Sequence, residues 1–212
     1  MTSPIRKFML TAHVTTSVGW IGALAVFLAH ALASVYSEDE QMVRATSLAM
    51  GLTAWFVILP LSLASLTTGL VQALGTAWGL FRHYWVLFKF LLTAVATIVL
   101  LLKLEPISYL ADAAAEVTFS SANLVSLRTS LLIHAAAGLL VLLAAAALAI
   151  FKPAGMTLYG LRKQHEQRNE ASYSLSPAMH MPRWVKVFGT IVIILIVLIG
   201  IMMSVGGHGP GA

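Results

Sequence analysis

Residues 129–151 read TSLLIHAAAGLLVLLAAAALAIF, an apolar run whose one ionisable group is His134. At a rise of ~1.5 Å per residue such a run, coiled as a helix, covers the ~30 Å hydrocarbon core of a bilayer. Four comparable runs lie at about 8–34, 48–74, 83–104 and 185–205. A backbone in lipid has no water to bond, so each run must satisfy its own N–H and C=O groups as helix. The expected fold is all-α: a polytopic membrane protein with a four-helix transmembrane bundle and a fifth, peripheral transmembrane helix, forming a single transmembrane domain over 1–212.

Composition agrees. Of 212 residues, 59% are hydrophobic and 10% charged, and the mean hydropathy is +0.88. A soluble domain carries about 25% charged residues. The absence of cysteine excludes disulfides, thiolate metal sites and iron–sulfur clusters.

The net charge of +5 is sorted by side. Arg6, Lys7, Arg82, Lys152, Arg162, Lys163, Arg168, Arg183 and Lys186 fall on one side of the membrane under five crossings. Arg44, Lys103 and Arg128 fall on the other, with Glu38, Asp39, Glu40, Glu105, Asp112 and Glu116. Basic loops stay in the cytoplasm, which puts the N-terminus and the loop 152–184 inside and the loop 105–128 and the C-terminus outside. The membrane expected is a bacterial-type cytoplasmic (inner) membrane. A basic loop beside anionic lipid needs no nucleic acid as partner. The first run is too long for the ~7–15-residue apolar region of a signal peptide, so it is expected to remain as a helix.

Local signals mark the ends and bends. Ser37-Glu38-Asp39-Glu40 reads as a capping box with Ser37 as N-cap and Glu40 reaching back, opening a segment expected along the outer interface. Pro60 predicts a kink in the second helix. Glu105-Pro106 followed by Ile107, Leu110, Ala114 and Val117 predicts a short amphipathic surface helix. Lys152-Pro153 predicts the end of the fourth helix. The fifth run, TIVIILIVLIGIMM at 190–203, carries no ionisable group and is expected to face lipid.

Ionisable side chains inside a bilayer are costly and therefore mark candidate sites. Four qualify: His13 and His30 in helix 1, Lys89 in helix 3 and His134 in helix 4. Counting from the flanking charges, His13 and Lys89 lie at one depth, roughly 10 Å inside the cytoplasmic boundary. His30 and His134 match in the outer half. His13, Thr16, Trp20, Leu24 and Phe27 form one helical stripe, and His30 lies about 100° away from it. Trp55, Ser62, Ser65, Gly69 and Gln72 form a stripe on helix 2. Trp85, Lys89, Leu92 and Ala96 form another on helix 3. Gly138 and Ala145, below His134, allow close approach of a backbone or a flat ring. Neutral imidazoles between bundle helices suit the iron of a porphyrin, while for any single His interhelical hydrogen bonding is the simpler account.

His13-x6-Trp20-x-Gly22 on helix 1 and Trp85-x3-Lys89 on helix 3 resemble the small bundles of haem-b-associated membrane protoporphyrinogen oxidases (HemJ type) and of the copper-resistance CopD type. The whole chain, with Gly79-Leu80-Phe81-Arg82-His83-Tyr84-Trp85 and Lys152-Pro153, resembles an uncharacterised family of predicted bacterial integral membrane proteins. The first resemblance implies haem b as cofactor, with His13 as iron ligand in an inner site with Trp20, Trp85 and Lys89. Lys89 would then face a propionate or a quinone oxygen. In that pattern a His stands two residues before the lysine, where this chain has Leu87. The residues themselves leave an outer alternative in which His30 and His134 hold the iron.

Three functions follow as expectations. The first is a b-type cytochrome-like redox protein exchanging electrons with quinone or a small oxidant. The second is a non-catalytic subunit or assembly factor acting as a homo-oligomer or with a membrane partner. The third is a small transporter or sensor with an anion site at Lys89. The spans contain no Asp or Glu, which speaks against carboxylate-coupled transport.

Overall fold

The computed structural model describes residues 3–75, 80–116, 124–152 and 155–162, together with Thr190, Ile193 and Val197. Four long helices dominate: α1 (Ser3–Tyr36), α2 (Glu40–Gly75), α3 (Tyr84–Ala115) and α4 (Val125–Phe151). Each is long and apolar enough to cross a membrane. The protein is an all-α, multi-pass membrane protein. The main contacts run α1 to α2, α2 to α3, α3 to α4 and α4 back to α1, an up-down-up-down bundle. Its outer surface is apolar, with Phe56, Ile98 and Leu140 exposed as lipid would require. The predicted fifth helix, 185–205, lies largely outside the described residues. Thr190, Ile193 and Val197 within it are helical and exposed.

The core centres on Trp20, Phe27 and Ala31 of α1, Met50, Ala54 and Ile58 of α2, Leu104, Ile107 and Leu110 of α3, and Leu131, Ala135 and Leu142 of α4. At Gly51 an added Cβ would lie 2.7 Å from the Ala111 Cβ, so glycine lets α2 and α3 approach there.

Three local expectations are corrected. Asp39 is the N-cap of α2, its carboxylate accepting from the Gln41 N–H at 3.0 Å, while Ser37 Oγ accepts from the Asp39 N–H. No separate interfacial segment precedes helix 2. The helix begins at Glu40 because Val43, Thr46, Ser47 and Met50 are buried in the bundle. Nor is there a surface helix after Glu105-Pro106: α3 continues through Pro106 to Ala115, and Ile107, Leu110 and Ala114 are core residues. Burial of that face outweighs the one backbone bond that proline removes. Val117 lies outside the described residues.

The irregularity at Pro60 takes the form of a π-helical turn, Ala54–Ile58, in which the Leu59 N–H bonds the Ala54 carbonyl. The proline ring would press on the carbonyl four residues earlier, and widening the preceding turn gives it room. The extra residue also rotates the helix above it. Trp55, expected on the Ser62–Gln72 face, is instead 46% exposed and donates its indole N–H to Ser108 Oγ on α3 at 2.8 Å.

At the end where α1 begins, two segments are clamped together. His83 and Met156 form an isolated antiparallel bridge, and the Thr157 N–H donates to the Arg82 carbonyl at 3.0 Å. Thr157 Oγ1 donates to the Phe81 carbonyl and accepts from the Gly160 N–H. Helix α4 ends as expected: Lys152 takes a left-handed conformation (φ 39°), and its N–H bonds the Leu148 carbonyl.

Candidate functional site

His13 sits on the inward face of α1 and is 8% exposed. Its Nδ1 lies 3.1 Å from both the Ser65 carbonyl and Thr68 Oγ1 on α2. Thr68 spends its own proton on the Ala64 carbonyl at 2.6 Å, so both neighbours of Nδ1 are acceptors. Nδ1 therefore carries the hydrogen, and in the neutral ring Nε2 is the acceptor. The Lys89 ammonium, reaching from α3, donates to that Nε2 at 3.1 Å. Three helices thus converge on one imidazole. The pairing expected from depth alone is a direct contact.

Gly69 makes this possible. A Cβ there would stand 2.9 Å from His13 Cε1, so any side chain would displace the ring. Two further bonds hold α1 to α2 on either side: Ser17 Oγ to Ser65 Oγ at 2.8 Å, and Gln72 Nε2 donating to the Met9 carbonyl at 2.6 Å.

His13 and Lys89 line a cleft of about 800 Å³ at the end of the bundle where α1 and α3 begin. Arg6, Lys7 and Lys152 are also on its wall, with Ser65, Gln72 and Thr93 as neutral polar groups and Trp85 and Phe90 among the apolar ones. Among the described lining residues there is no Asp or Glu. Arg6 and Lys7 were read from sequence only as topology signals. The signal for the site was available in the spacing, because Arg6 stands seven residues before His13 and so on the same face. Thr68 was missed, since a threonine one turn from a serine in an apolar helix carries no distinctive pattern.

The outer pair does not assemble in this way. His134 turns its Nδ1–H onto the Ser130 carbonyl at 2.7 Å and lines a separate cavity of about 80 Å³ in the middle of the bundle. His30 is not on the wall of that cavity, and its buried Nδ1 has no hydrogen-bond partner among the described residues. Trp20 lines the central cavity and not the cleft, so the His13–Trp20 motif is divided between two places.

Haem does not fit either arrangement. At His13 both ring nitrogens are engaged, and iron would need the Nε2 that Lys89 occupies. At His134 no second histidine is on the cavity wall among the described residues, and the cavity is far smaller than a macrocycle. Among the described residues no three His, Asp or Glu side chains gather as a metal site. No known protein family, curated protein or solved structure matches the chain.

Proposed function

We propose that this protein binds an anion in the His13–Lys89 cleft and acts as a small membrane carrier or sensor for it. The observation that carries the reading is the placement of Lys89. Its ammonium lies inside the bundle against a neutral acceptor, on a wall that holds three further cations and, among the described lining residues, no carboxylate. A cation in such surroundings is costly, and an anion in the cleft offsets that cost. Phosphate and carboxylate groups are the matching chemistry, and the apolar remainder of the wall, including Leu10, Leu66 and Phe90, suits an amphiphile. By the sorting of loop charges this cleft opens toward the cytoplasm, with the N-terminus inside an inner membrane.

The geometry lends no comparable support to haem-based electron transfer, to a quinone site or to a partner-binding subunit. The test is titration of the full chain in lipid nanodiscs with inorganic phosphate and, separately, with a short-chain phosphatidic acid. Binding of at least one is expected, with Lys89→Met weakening it tenfold or more and Lys89→Arg retaining most of it. Binding of free phosphate alone would point to a soluble anion, and binding of the lipid alone to a headgroup. No binding of either, or binding unchanged in Lys89→Met, overturns the proposal.

A further inference from the structure

The sides of the His13–Lys89 cleft are not closed alike. Between α2 and α3 a cluster of Ala73, Leu80 and Val86, backed by Leu70 and Phe90, seals the bundle. Between α3 and α4, Leu92 and Phe88 pack with Ala145 and Leu148. Helix α1 is tied to α2 by the bonds of His13, Ser17 and Gln72. The main core shared by α1 and α4 reaches Trp20 and Leu142. From there to its start, α1 has His13 as its one buried side chain among the described residues, and His13 bonds α2 and α3.

Among the described residues the side between α1 and α4 is therefore the open one, and its lips are hydrocarbon. Leu10 and Val14 on α1 and Ile150 on α4 line the cleft, yet they are 54%, 50% and 76% exposed. Side chains around an enclosed cavity would not be so open. In a bilayer such a mouth gives onto acyl chains, and by the sorting of loop charges these belong to the inner leaflet. Behind the mouth the cations stand at two levels. Arg6 and Lys7 lie at the boundary where headgroups sit. His13, seven residues beyond Arg6, and the Lys89 ammonium bonded to it are about 10 Å deeper.

The geometry points to a lipid with a terminal phosphate as the occupant, entering the cleft sideways from the inner leaflet between α1 and α4. This rests on the reading of the cleft as an anion site and names the anion's source. The phosphate meets Lys89, whose ammonium keeps two protons after the one given to His13 Nε2. The acyl chains leave past Leu10, Val14 and Ile150 into the bilayer. A phosphate monoester carries about 1.5–2 negative charges at neutral pH, whereas a diester carries a single one. Lys89, Arg6, Lys7 and Lys152, on a wall with no carboxylate among its described residues, match the monoester better. A soluble anion gains nothing from apolar lips, and a neutral lipid gains nothing from the cations.

The experiment uses the full chain in phosphatidylcholine nanodiscs, with a fluorophore attached through Val14→Cys or Ile150→Cys, one on each lip. The reference position is Leu74→Cys, exposed on α2 at the same end of the bundle and off the cleft wall. Phosphatidic acid, phosphatidylglycerol and phosphatidylcholine with brominated tails serve as quenchers at equal mole fraction. Quenching at Val14 and Ile150 is expected to be several-fold stronger with phosphatidic acid than with the other lipids, and alike for all of them at Leu74. Lys89→Met should abolish the excess. Each protein is also titrated with inorganic phosphate. Phosphate binding that depends on Lys89, without an excess at the mouth, overturns the lipid and leaves the anion site standing. No binding of phosphate and no excess overturns both. An equal excess with phosphatidylglycerol, or one that survives Lys89→Met, overturns a terminal phosphate seated on Lys89. No quenching by any lipid at either lip shows the mouth covered by protein and overturns the entry route.

Discussion

Gly69 and His13 occupy complementary space: the imidazole lies where a side chain on α2 would be, with Cε1 2.9 Å from the position of a Cβ. The ring is therefore located by an absence of atoms on one helix as well as by its bonds to Ser65 and Thr68. Gly69→Ala forces the ring to move by a few tenths of an ångström and lengthens its contact with Lys89. Anion affinity in the cleft is expected to fall several-fold with the bundle retained, and Gly69→Val should lower it further. Titration with the phosphate-bearing probes checks this, and unchanged affinity in both variants would remove the ring from the binding geometry.

The chain has no cysteine, so single introduced thiols report topology directly. Glu38 in the α1–α2 turn and Arg162 beyond α4 are both exposed, at opposite ends of the bundle. With an impermeant thiol reagent on intact cells, Glu38→Cys should react and Arg162→Cys should react only after permeabilisation. The reverse pattern would invert the orientation read from the loop charges.

Gly160 is the tightest point of the clamp between the start of α3 and the chain after α4. A Cβ there would lie 2.4 Å from the Arg82 carbonyl oxygen, a backbone atom with little freedom to yield. Gly160→Ala should open the His83–Met156 bridge and release the Thr157 amide. Hydrogen exchange at Thr157 should accelerate by an order of magnitude or more, corresponding to roughly 1–3 kcal/mol of local stability. Exchange across α1 should stay as before.

Arg128, 5% exposed near the start of α4, donates to the Ser34 carbonyl on α1. Removing a charged donor from a buried acceptor costs about 1.5–3 kcal/mol. Arg128→Met keeps the apolar stem and removes the donor, so it should lower thermal stability by that amount. It should leave phosphate binding in the distant cleft unaffected. A loss of binding together with stability would show that the two ends of the bundle are coupled.

Much of the architecture is legible in composition. A run such as 129–151 has no other stable home than a helix in lipid, and four such runs with short polar connections fold back on one another. The pairing of His13 with Lys89 was also legible, because both are counted from a basic residue at the same boundary, and α1 and α3 both begin there and run parallel. The pairing of His30 with His134 rested on the same arithmetic and failed to appear. Equal depth says nothing of azimuth, and His30 is not on the wall of the cavity that His134 lines.

The sequence by itself determined that this chain is membrane-embedded α-helix and which residues are costly to bury there. Both follow from the local chemistry of each residue against hydrocarbon. Where α2 starts and where α3 stops was decided only by the fold. Pro106 and the Glu38–Glu40 segment carry strong local signals for a boundary, yet the burial of Ile107, Leu110, Val43 and Met50 carries α3 and α2 past or up to them. The fold also decided which face each polar residue presents. One π-turn rotates everything beyond Trp55, and the tautomers of His13 and His134 are set by carbonyls of Ser65 and Ser130. A backbone carbonyl has no letter in the sequence, so its role emerges only when the helices are packed.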